Sequence, residues 1–211
     1  MLMIQYGNQI VRRKGPNMQK IYDKLNERIK QTSDINEHLE TLLKYSSGCQ
    51  HITEMGTREI TSTWAFLAAE PKKFVGVDIY VSSNMPYAQE LCKENGIEFE
   101  FLYKSTLEPG FVIEETDFLF IDTAHTYAQL KQELERHGNQ ARKLLGFHDT
   151  TTYGHVNEPP YAANAHIEAA VPPNSPRGLV AAIDEFLAAN PHWKIRDVFK
   201  NNNGLTILER T

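Results

Sequence analysis

The sequence predicts an α/β fold built on a mostly parallel β-sheet. Short apolar runs alternate along residues 51–147 with stretches of helical periodicity, as in successive strand–helix–strand units. Runs such as 118–121 are apolar throughout, which is typical of strands buried on both faces. Near the end of the chain, Asn203 and Gly204 separate two β-rich segments and predict an antiparallel hairpin.

Composition limits the classes of function. The 211 residues are enough for one domain with a substantial core, and the net charge of −5 without a basic run makes nucleic acid an unexpected partner. Cys49 and Cys92 lack the spacing of metal ligands, so a reduced, cytoplasmic setting is expected. No apolar run approaches about 20 residues, so no membrane span is predicted, and the first 15 residues do not read as a signal peptide.

The elements follow one another in a regular order. Residues 1–16 are expected to be irregular, and Asp34 with Glu37 is expected to form a capping box for the second helix. Thr61 or Ser62 is expected to cap the helix after the first strand. The predicted strands are 51–55, 74–79, 97–103, 118–122, 143–147, 193–199 and 205–208, and the predicted helices are 18–29, 35–45, 62–70, 86–95, 127–137 and 179–189.

The chain is divided here into an N-terminal helical extension, residues 1–48, packed on an α/β domain, residues 49–211. Residues 150–177 contain five prolines and little periodicity, which predicts a lid or binding loop. His155 and His166 in this loop are interpreted as surface residues. The N-terminal helices could pack on their own sheet or on that of a second copy, so a homo-oligomer is left open.

Residues 52–78 are the stretch around which the chain is organised. They predict a strand, a tight turn at Gly56, a helix and a second strand that ends at Asp78. An acid about 20 residues beyond a turn glycine is placed to bind the ribose of a nucleoside. Because the GxGxxG pattern is absent, a nucleoside without a pyrophosphate fits better than a dinucleotide. The alternative is a buried strand–helix–strand unit with an incidental aspartate.

Polar residues collect where the predicted strands end. In an open α/β sheet ligands bind at the carboxyl ends of the strands, and buried carboxylates are costly without partners. A polar ligand or a cation therefore explains the pattern, although any one of these acids could instead cap a helix. The residues are Glu54, Gly56, Asp78, Lys104, Ser105, Asp122, His125, His148 and Asp149.

Three of these residues could share a divalent cation. The carboxylates of Asp122 and Asp149 suit Mg²⁺, Ca²⁺ or Mn²⁺, and the imidazole of His148 shifts the preference toward transition metals. In the alternative, His148 and Asp149 only orient a substrate, or His148 acts as a general base.

Several segments resemble one family of enzymes. Residues 54–63 carry its E-x-G…S-T motif, and residues 121–127, IDTAHTY, are similar to its IDGDHSY-like motif. FHD at 147–149, VAAIDEFLAANPHW at 180–193 and NGLTIL at 203–208 also match, so the matches span about residues 50–211 in order. The chain thus resembles class I S-adenosylmethionine (SAM)-dependent methyltransferases, in particular the group related to cephalosporin-hydroxylase-like and macrolide sugar O-methyltransferases.

The resemblance implies a Rossmann-like three-layer sandwich whose seven-stranded, mostly parallel sheet has an antiparallel last strand. It implies that Asp78 binds the ribose of SAM and that Ser105 lies near the adenine. Asp122 and His125 would lie beside the sulfonium or the substrate, with a cation at positions like Asp122 and Asp149. The residues expected near the cofactor are Glu54, Gly56, Thr57, Ser62, Asp78, Ser105 and Asp122, and those expected in catalysis are Asp122, His125, His148 and Asp149.

The leading hypothesis is methyl transfer from SAM to an oxygen of a small molecule or saccharide. Two positions depart from the family pattern. Ile60 stands where the family often has glycine, and Thr123 with Ala124 replaces Gly-Asp. These departures leave open a non-catalytic nucleoside-binding or assembly protein on the same fold. A NAD-dependent dehydrogenase is the third hypothesis, and the missing glycine pattern argues against it.

Overall fold

The computed structural model describes residues 4–6, 9–11, 16–159, 167, 172 and 174–211. The chain forms two compact units, Met1–Lys104 and Ser105–Thr211. Seven of the described strands form one mostly parallel sheet with antiparallel final strands, which confirms the predicted fold class. The division predicted at residues 48 and 49 stays a prediction. His166 and most of residues 160–173 lie outside the described residues.

The first unit contains a hairpin and three parallel strands. Strands β1 (Ile4–Tyr6) and β2 (Gln9–Val11) pair antiparallel, so the prediction that residues 1–16 are irregular was wrong. Strands β3 (His51–Met55), β4 (Lys73–Asp78) and β5 (Glu98–Tyr103) are parallel, with β4 in the middle.

Four α-helices of the described residues accompany these strands. They are α1 (Pro16–Lys30), α2 (Leu39–Ser46), α3 (Thr63–Ala68) and α4 (Met85–Glu94). Helix α1 packs on α3 and α4 with the fully buried side chains of Ile21, Tyr22 and Leu25, which recur at helical spacing as predicted.

The predicted capping box before α2 is wrong. A short 3-10 helix, Asn36–His38, precedes α2; its N-cap residue is Ile35, which makes no side-chain capping bond, and Ser33 forms a turn just before it. The Ser33 hydroxyl oxygen accepts the backbone N–H groups of Asn36 at 3.0 Å and Ile35 at 3.3 Å. The side chain of Asp34 instead forms an ion pair with Arg58 at 3.2 Å.

The described residues of the second unit form four strands and two longer helices. Strand β7 (Ala141–His148) lies parallel to β6 (Thr116–Ile121), and β9 (Leu205–Arg210) runs antiparallel between β7 and β8 (Trp193–Phe199). Helices α5 (Tyr127–His137) and α6 (Leu179–Ala189) pack on each other. The hairpin predicted from Asn203 and Gly204 is therefore confirmed.

A glycine in β7 makes room for the aromatic core of this unit. A Cβ atom at Gly146 would lie 3.0 Å from ring carbons of both Phe118 and Phe120 in β6. Both phenylalanines are fully buried, so the absence of a side chain at 146 lets their rings cover the backbone of β7.

One buried histidine gives the second unit a dependence on pH. His137 has no exposed surface; its Nε2–H donates to the Thr106 carbonyl oxygen at 2.8 Å, and its Nδ1 accepts the Ile113 N–H at 3.4 Å. The first partner can only accept and the second can only donate, so the ring is neutral. Burial lowers the pKa of His137, against the opposing effect of the Thr106 carbonyl.

A group whose pKa is lowered by folding stabilises the protein above its unfolded pKa, and that stability is lost as pH falls. His137 therefore contributes a decrease in the free energy of unfolding from pH 7 to pH 5, of up to about 1.4 kcal/mol per pH unit. Urea unfolding at several pH values should show this decrease in the wild type relative to His137→Gln, which lacks the titrating ring. The exposed His155 provides the control. Equal slopes for His137→Gln and His155→Gln would contradict the assignment.

Candidate functional site

The turn after β3 is fixed to the end of β4 by Asp78. Gly56, at φ +85°, donates its N–H to the Val77 carbonyl oxygen at 2.9 Å. One carboxylate oxygen of Asp78 accepts the backbone N–H of Arg58 at 2.8 Å, and the other accepts that of Tyr80 at 2.8 Å. The structure thus brings Gly56 and Asp78 together, as predicted from their spacing.

The other predicted cofactor residues of the first unit are buried next to this turn, where they form hydrogen bonds. Glu54 is fully buried, and its carboxylate accepts hydrogen bonds from the hydroxyls of Ser62 and Thr63. Ser62 stands at the N-cap position of α3 without a capping bond, so the predicted cap was wrong, and its hydroxyl serves Glu54 instead. Thr57 is buried, with Oγ1 3.4 Å from Asp78.

Two residues of the same turn have backbone dihedral angles in the left-handed region. Arg58 has φ +39° and Ile60 has φ +56°. This conformation costs an L-residue about 1–2 kcal/mol, and such strain concentrates at functional sites. The side chain of Ile60 is fully buried, which offsets the strain at a position where glycine would have been free of it.

Apolar side chains beside Asp78 are exposed, a feature that sequence reasoning missed. Ile79, Tyr80 and Val81 follow Asp78 and are 48–54% exposed. Tyr103 is 68% exposed, and it lies opposite Asp78 in the register of β4 and β5. The run IYV after the aspartate was the available signal, since a strand end rarely continues with three exposed apolar residues.

In the second unit, three predicted residues converge where β6 and β7 end. Asp122 follows β6, His148 ends β7 and Asp149 follows it. His148 Nδ1 lies 3.2 Å from a carboxylate oxygen of Asp122 and 3.0 Å from one of Asp149. One ligand atom from each residue lies within 4.8 Å of the others, an arrangement that can hold a metal ion.

His125 completes this cluster together with a carboxylate that the sequence did not reveal. Its Nε2 lies 3.1 Å from Asp122 and 3.1 Å from Asp149, while its Nδ1 lies 3.0 Å from Glu158. The ring stacks on Tyr153 with centroids 5.2 Å apart and planes 2° apart. Glu158 and Tyr153 belong to the predicted loop 150–177, where no motif marked them.

Two observations fit a cation at Asp122, His148 and Asp149. His148 Nε2 lies 3.2 Å from the Asn202 carbonyl oxygen, which can only accept, so Nε2 carries the proton and Nδ1 faces the carboxylates. Histidine ligands are typically oriented by such a second hydrogen bond. Within the described part of the chain, Oδ1 of Asp149 is buried and has no hydrogen-bond partner. A buried oxygen of this kind is costly unless something charged binds it.

The charged side chains of this cluster strongly shift one another's pKa values. Burial opposes the charged form of Asp122, but His148 and His125 outweigh burial and hold its pKa well below the usual range. Burial likewise opposes protonation of His148, yet Asp122 and Asp149 raise its pKa to about 11. The pKa of His125 is raised by Asp122, Asp149 and Glu158 against burial. Carboxylates and imidazolium groups therefore neutralise one another.

A second buried network supports the loop after Asp122. The carboxylate of Glu133 is fully buried and accepts hydrogen bonds from Thr123 at 2.8 Å, Gln129 at 2.8 Å and Thr106 at 2.5 Å. Thr123 thus ties the loop to α5, a role that the family's glycine could not fill. Ser105, predicted near the adenine, accepts the Leu107 N–H at 3.2 Å at the start of the unit.

Comparisons with known proteins identify the fold. No family model matches the chain, and no curated protein matches it. An O-methyltransferase from Bacillus cereus in complex with SAH is 16% identical, with a TM-score of 0.55 over 94% of this chain and 92% of that one. TomG from Streptomyces achromogenes, an O-methyltransferase of tomaymycin synthesis in complex with SAM, is 15% identical, with a TM-score of 0.55 over 94% and 91%.

A putative caffeoyl-CoA O-methyltransferase from Staphylococcus aureus is 16% identical, with a TM-score of 0.54 over 92% of this chain and 99% of that one. The chain therefore has the fold of the SAM-dependent methyltransferases, as its motifs predicted. Among the described residues, no helix is both long and apolar enough to cross a membrane.

Proposed function

We propose that this protein is a SAM-dependent methyltransferase that transfers the methyl group to an oxygen of a small molecule or saccharide. The observation that carries the proposal is Asp78, which, in a fold shared with methyltransferases, ends β4 beside the Gly56 turn. Backbone N–H groups fix both of its oxygens, and a carboxylate offers about four acceptor sites. The Thr57 hydroxyl also donates to it weakly, at 3.4 Å, so at least one site remains to accept a ribose hydroxyl.

We assign the exposed residues beside Asp78 to the binding of the adenine base of the cofactor. Tyr80 and Tyr103 offer aromatic surface, and aromatic side chains bind nucleobases by stacking. Glu54, Ser62 and Thr57 shape the turn under the methionine part of the cofactor rather than touching solvent.

We assign the binding of the methyl acceptor to the cluster of carboxylates and histidines in the second unit. Asp122, His148 and Asp149 would hold a divalent cation, which would lower the pKa of a bound hydroxyl. His125 would orient the carboxylates. In the alternative without a cation, the carboxylates keep His148 protonated by raising its pKa to about 11, and His148 and Asp149 would only orient the acceptor.

For this reaction the protein has mainly to align the acceptor oxygen with the methyl group of SAM. The acceptor oxygen attacks the methyl carbon in line, the carbon–sulfur bond breaks, S-adenosylhomocysteine (SAH) leaves and the hydroxyl proton passes to a base. Holding the two reactants in this geometry can supply about 7–11 kcal/mol of the reduction in barrier. We place the enzyme in the cytoplasm because both cysteines are free thiols.

Replacing Asp78 tests the cofactor site. Calorimetric titration with SAH should show binding by the wild type and a loss of about 1.5–3 kcal/mol in Asp78→Ala, roughly 10- to 150-fold, because charged hydrogen bonds to the ribose are removed. Asp34→Ala is the matched control, since Asp34 is a nearby exposed acid paired with Arg58. No heat from the wild type, or equal affinities in Asp78→Ala and the wild type, would refute the assignment.

A second candidate is a nucleoside-binding protein without catalysis. It is favoured by Ala124, which lacks the carboxylate of the family motif, and by the strain at Ile60. SAH binding without methyl transfer to any member of a broad library of hydroxylated compounds would support it. For the dehydrogenase hypothesis, an unchanged NADH fluorescence on adding protein would be decisive against it.

A further inference from the structure

Glu158 is the one acid of the described loop residues 150–159 that turns inward, and its side chain is 11% exposed. A carboxylate removed from water requires partners. It has three bonds to a single residue: Oε2 lies 3.0 Å from His125 Nδ1 and accepts the His125 backbone N–H at 3.2 Å, and the Glu158 N–H donates to the His125 carbonyl oxygen at 2.9 Å.

The loop that carries Glu158 is itself tied down. Asn157 Oδ1 accepts the N–H of Tyr127, the first residue of α5, at 3.0 Å and that of Gly178 at 2.7 Å. The Tyr153 N–H donates to the Asp149 carbonyl oxygen at 2.9 Å. Glu158 therefore reaches His125 from a segment with fixed ends.

These contacts leave the His125 ring little freedom. Each ring nitrogen faces carboxylate oxygen: Nδ1 that of Glu158, and Nε2 those of Asp122 and Asp149, 3.1 Å away. Tyr153 covers one face of the ring. With its Nδ1–H given to Glu158, the ring presents Nε2–H to the two carboxylates that are the proposed cation ligands.

We propose that Glu158 is a positioning residue that, through His125, orients the carboxylates of Asp122 and Asp149 for a cation. The inference rests on the proposed function and extends it to a residue of the loop 150–159. Outer partners of metal ligands typically contribute 10- to 100-fold to metal affinity. Ala124 leaves the family motif without its second acid, and Glu158 brings a carboxylate to the neighbouring His125 from elsewhere in the chain.

The test compares Mn²⁺ affinity in four proteins, with the thermal midpoint of each as the check on folding. We expect Glu158→Ala to bind Mn²⁺ about 10- to 100-fold more weakly than the wild type. Glu158→Gln should retain most of the affinity, since its side-chain carbonyl can still accept the Nδ1–H. Glu135→Ala is the control, because Glu135 is 62% exposed and lies at the far surface of α5 beside Lys131.

A second readout uses ¹⁵N-labelled histidine, with the His125 signals assigned from His125→Gln. The Nδ1 signal of His125 should change in Glu158→Ala and hold in Glu158→Gln. Wild-type affinity for Mn²⁺ in Glu158→Ala would overturn the inference and leave the proposed function intact. If the wild type does not bind Mn²⁺, the cation part of the proposed function fails. An altered Nδ1 signal in Glu158→Ala would then still support positioning of His125, and an unaltered one would overturn it.

Discussion

Asp149→Asn is expected to abolish the response of the protein to divalent cations. Asp149 supplies one of two carboxylates among the three proposed ligands, and its buried Oδ1 has no hydrogen-bond partner among the described residues. Outer partners of metal ligands contribute about 10- to 100-fold to metal affinity, so loss of a ligand carboxylate should cost at least about 100-fold. The measurement is the rise in thermal midpoint on adding millimolar Mn²⁺ or Mg²⁺, because a ligand of the folded state stabilises it by mass action.

Asp197→Asn is the matched control for this prediction. Asp197 belongs to β8 and pairs with Arg196 on the surface, 3.9 Å away and 46% exposed, so the variant should respond to cations like the wild type. In Asp149→Asn, the rate of methyl transfer should decrease in parallel with the loss of cation binding. If the wild type itself shows no rise with Mn²⁺, Mg²⁺ or Ca²⁺, the cluster is a network of imidazolium–carboxylate pairs and the cation hypothesis is wrong.

Much of the fold could be predicted because its signals are local. Strand β3 and helix α5 have the predicted bounds, since apolar runs and helical periodicity are written into short stretches of chain. The predicted caps failed for the opposite reason. Ser62 has the residue type of a cap, but its hydroxyl is turned toward Glu54, eight residues earlier in the preceding strand, and the two side chains meet only after folding.

The candidate site shows the same division. Asp78, Asp122, His148 and Asp149 could be proposed as site residues from the sequence because each lies at the carboxyl end of a predicted strand, where ligands of α/β sheets bind. Glu158 could not be found, since nothing near it in the sequence distinguishes it from a solvated loop acid. Its role depends on hydrogen bonds that fold residues 153–158 back onto His125.

The segment that carries Glu158 depends on Gly178, at the start of α6. Gly178 has φ +80° and ψ 166°, a conformation available essentially only to glycine. The first N–H groups of α6, those of Leu179 and Val180, donate to the Tyr153 and Gly154 carbonyl oxygens at 2.9 and 3.0 Å. The loop thereby caps α6, and the two backbones lie so close that a Cβ atom at Gly178 would come within 2.4 Å of the Gly154 carbonyl oxygen.

Gly178→Ala is therefore expected to destabilise the protein by about 2–5 kcal/mol, with roughly 1–3 kcal/mol from the backbone conformation and the remainder from the clash. Urea unfolding measures the loss. Gly110→Ala separates the two causes, since Gly110 has φ +79° but a Cβ atom added there would meet nothing within 4 Å. Gly110→Ala should lose only the part of the free energy of unfolding that comes from the backbone conformation. Because the clash pushes the loop from α6, Gly178→Ala should also shift the His125 signals, whereas Gly110→Ala should not. Equal destabilisation by both substitutions, with His125 unmoved, would mean that the close approach of the loop to α6 contributes nothing.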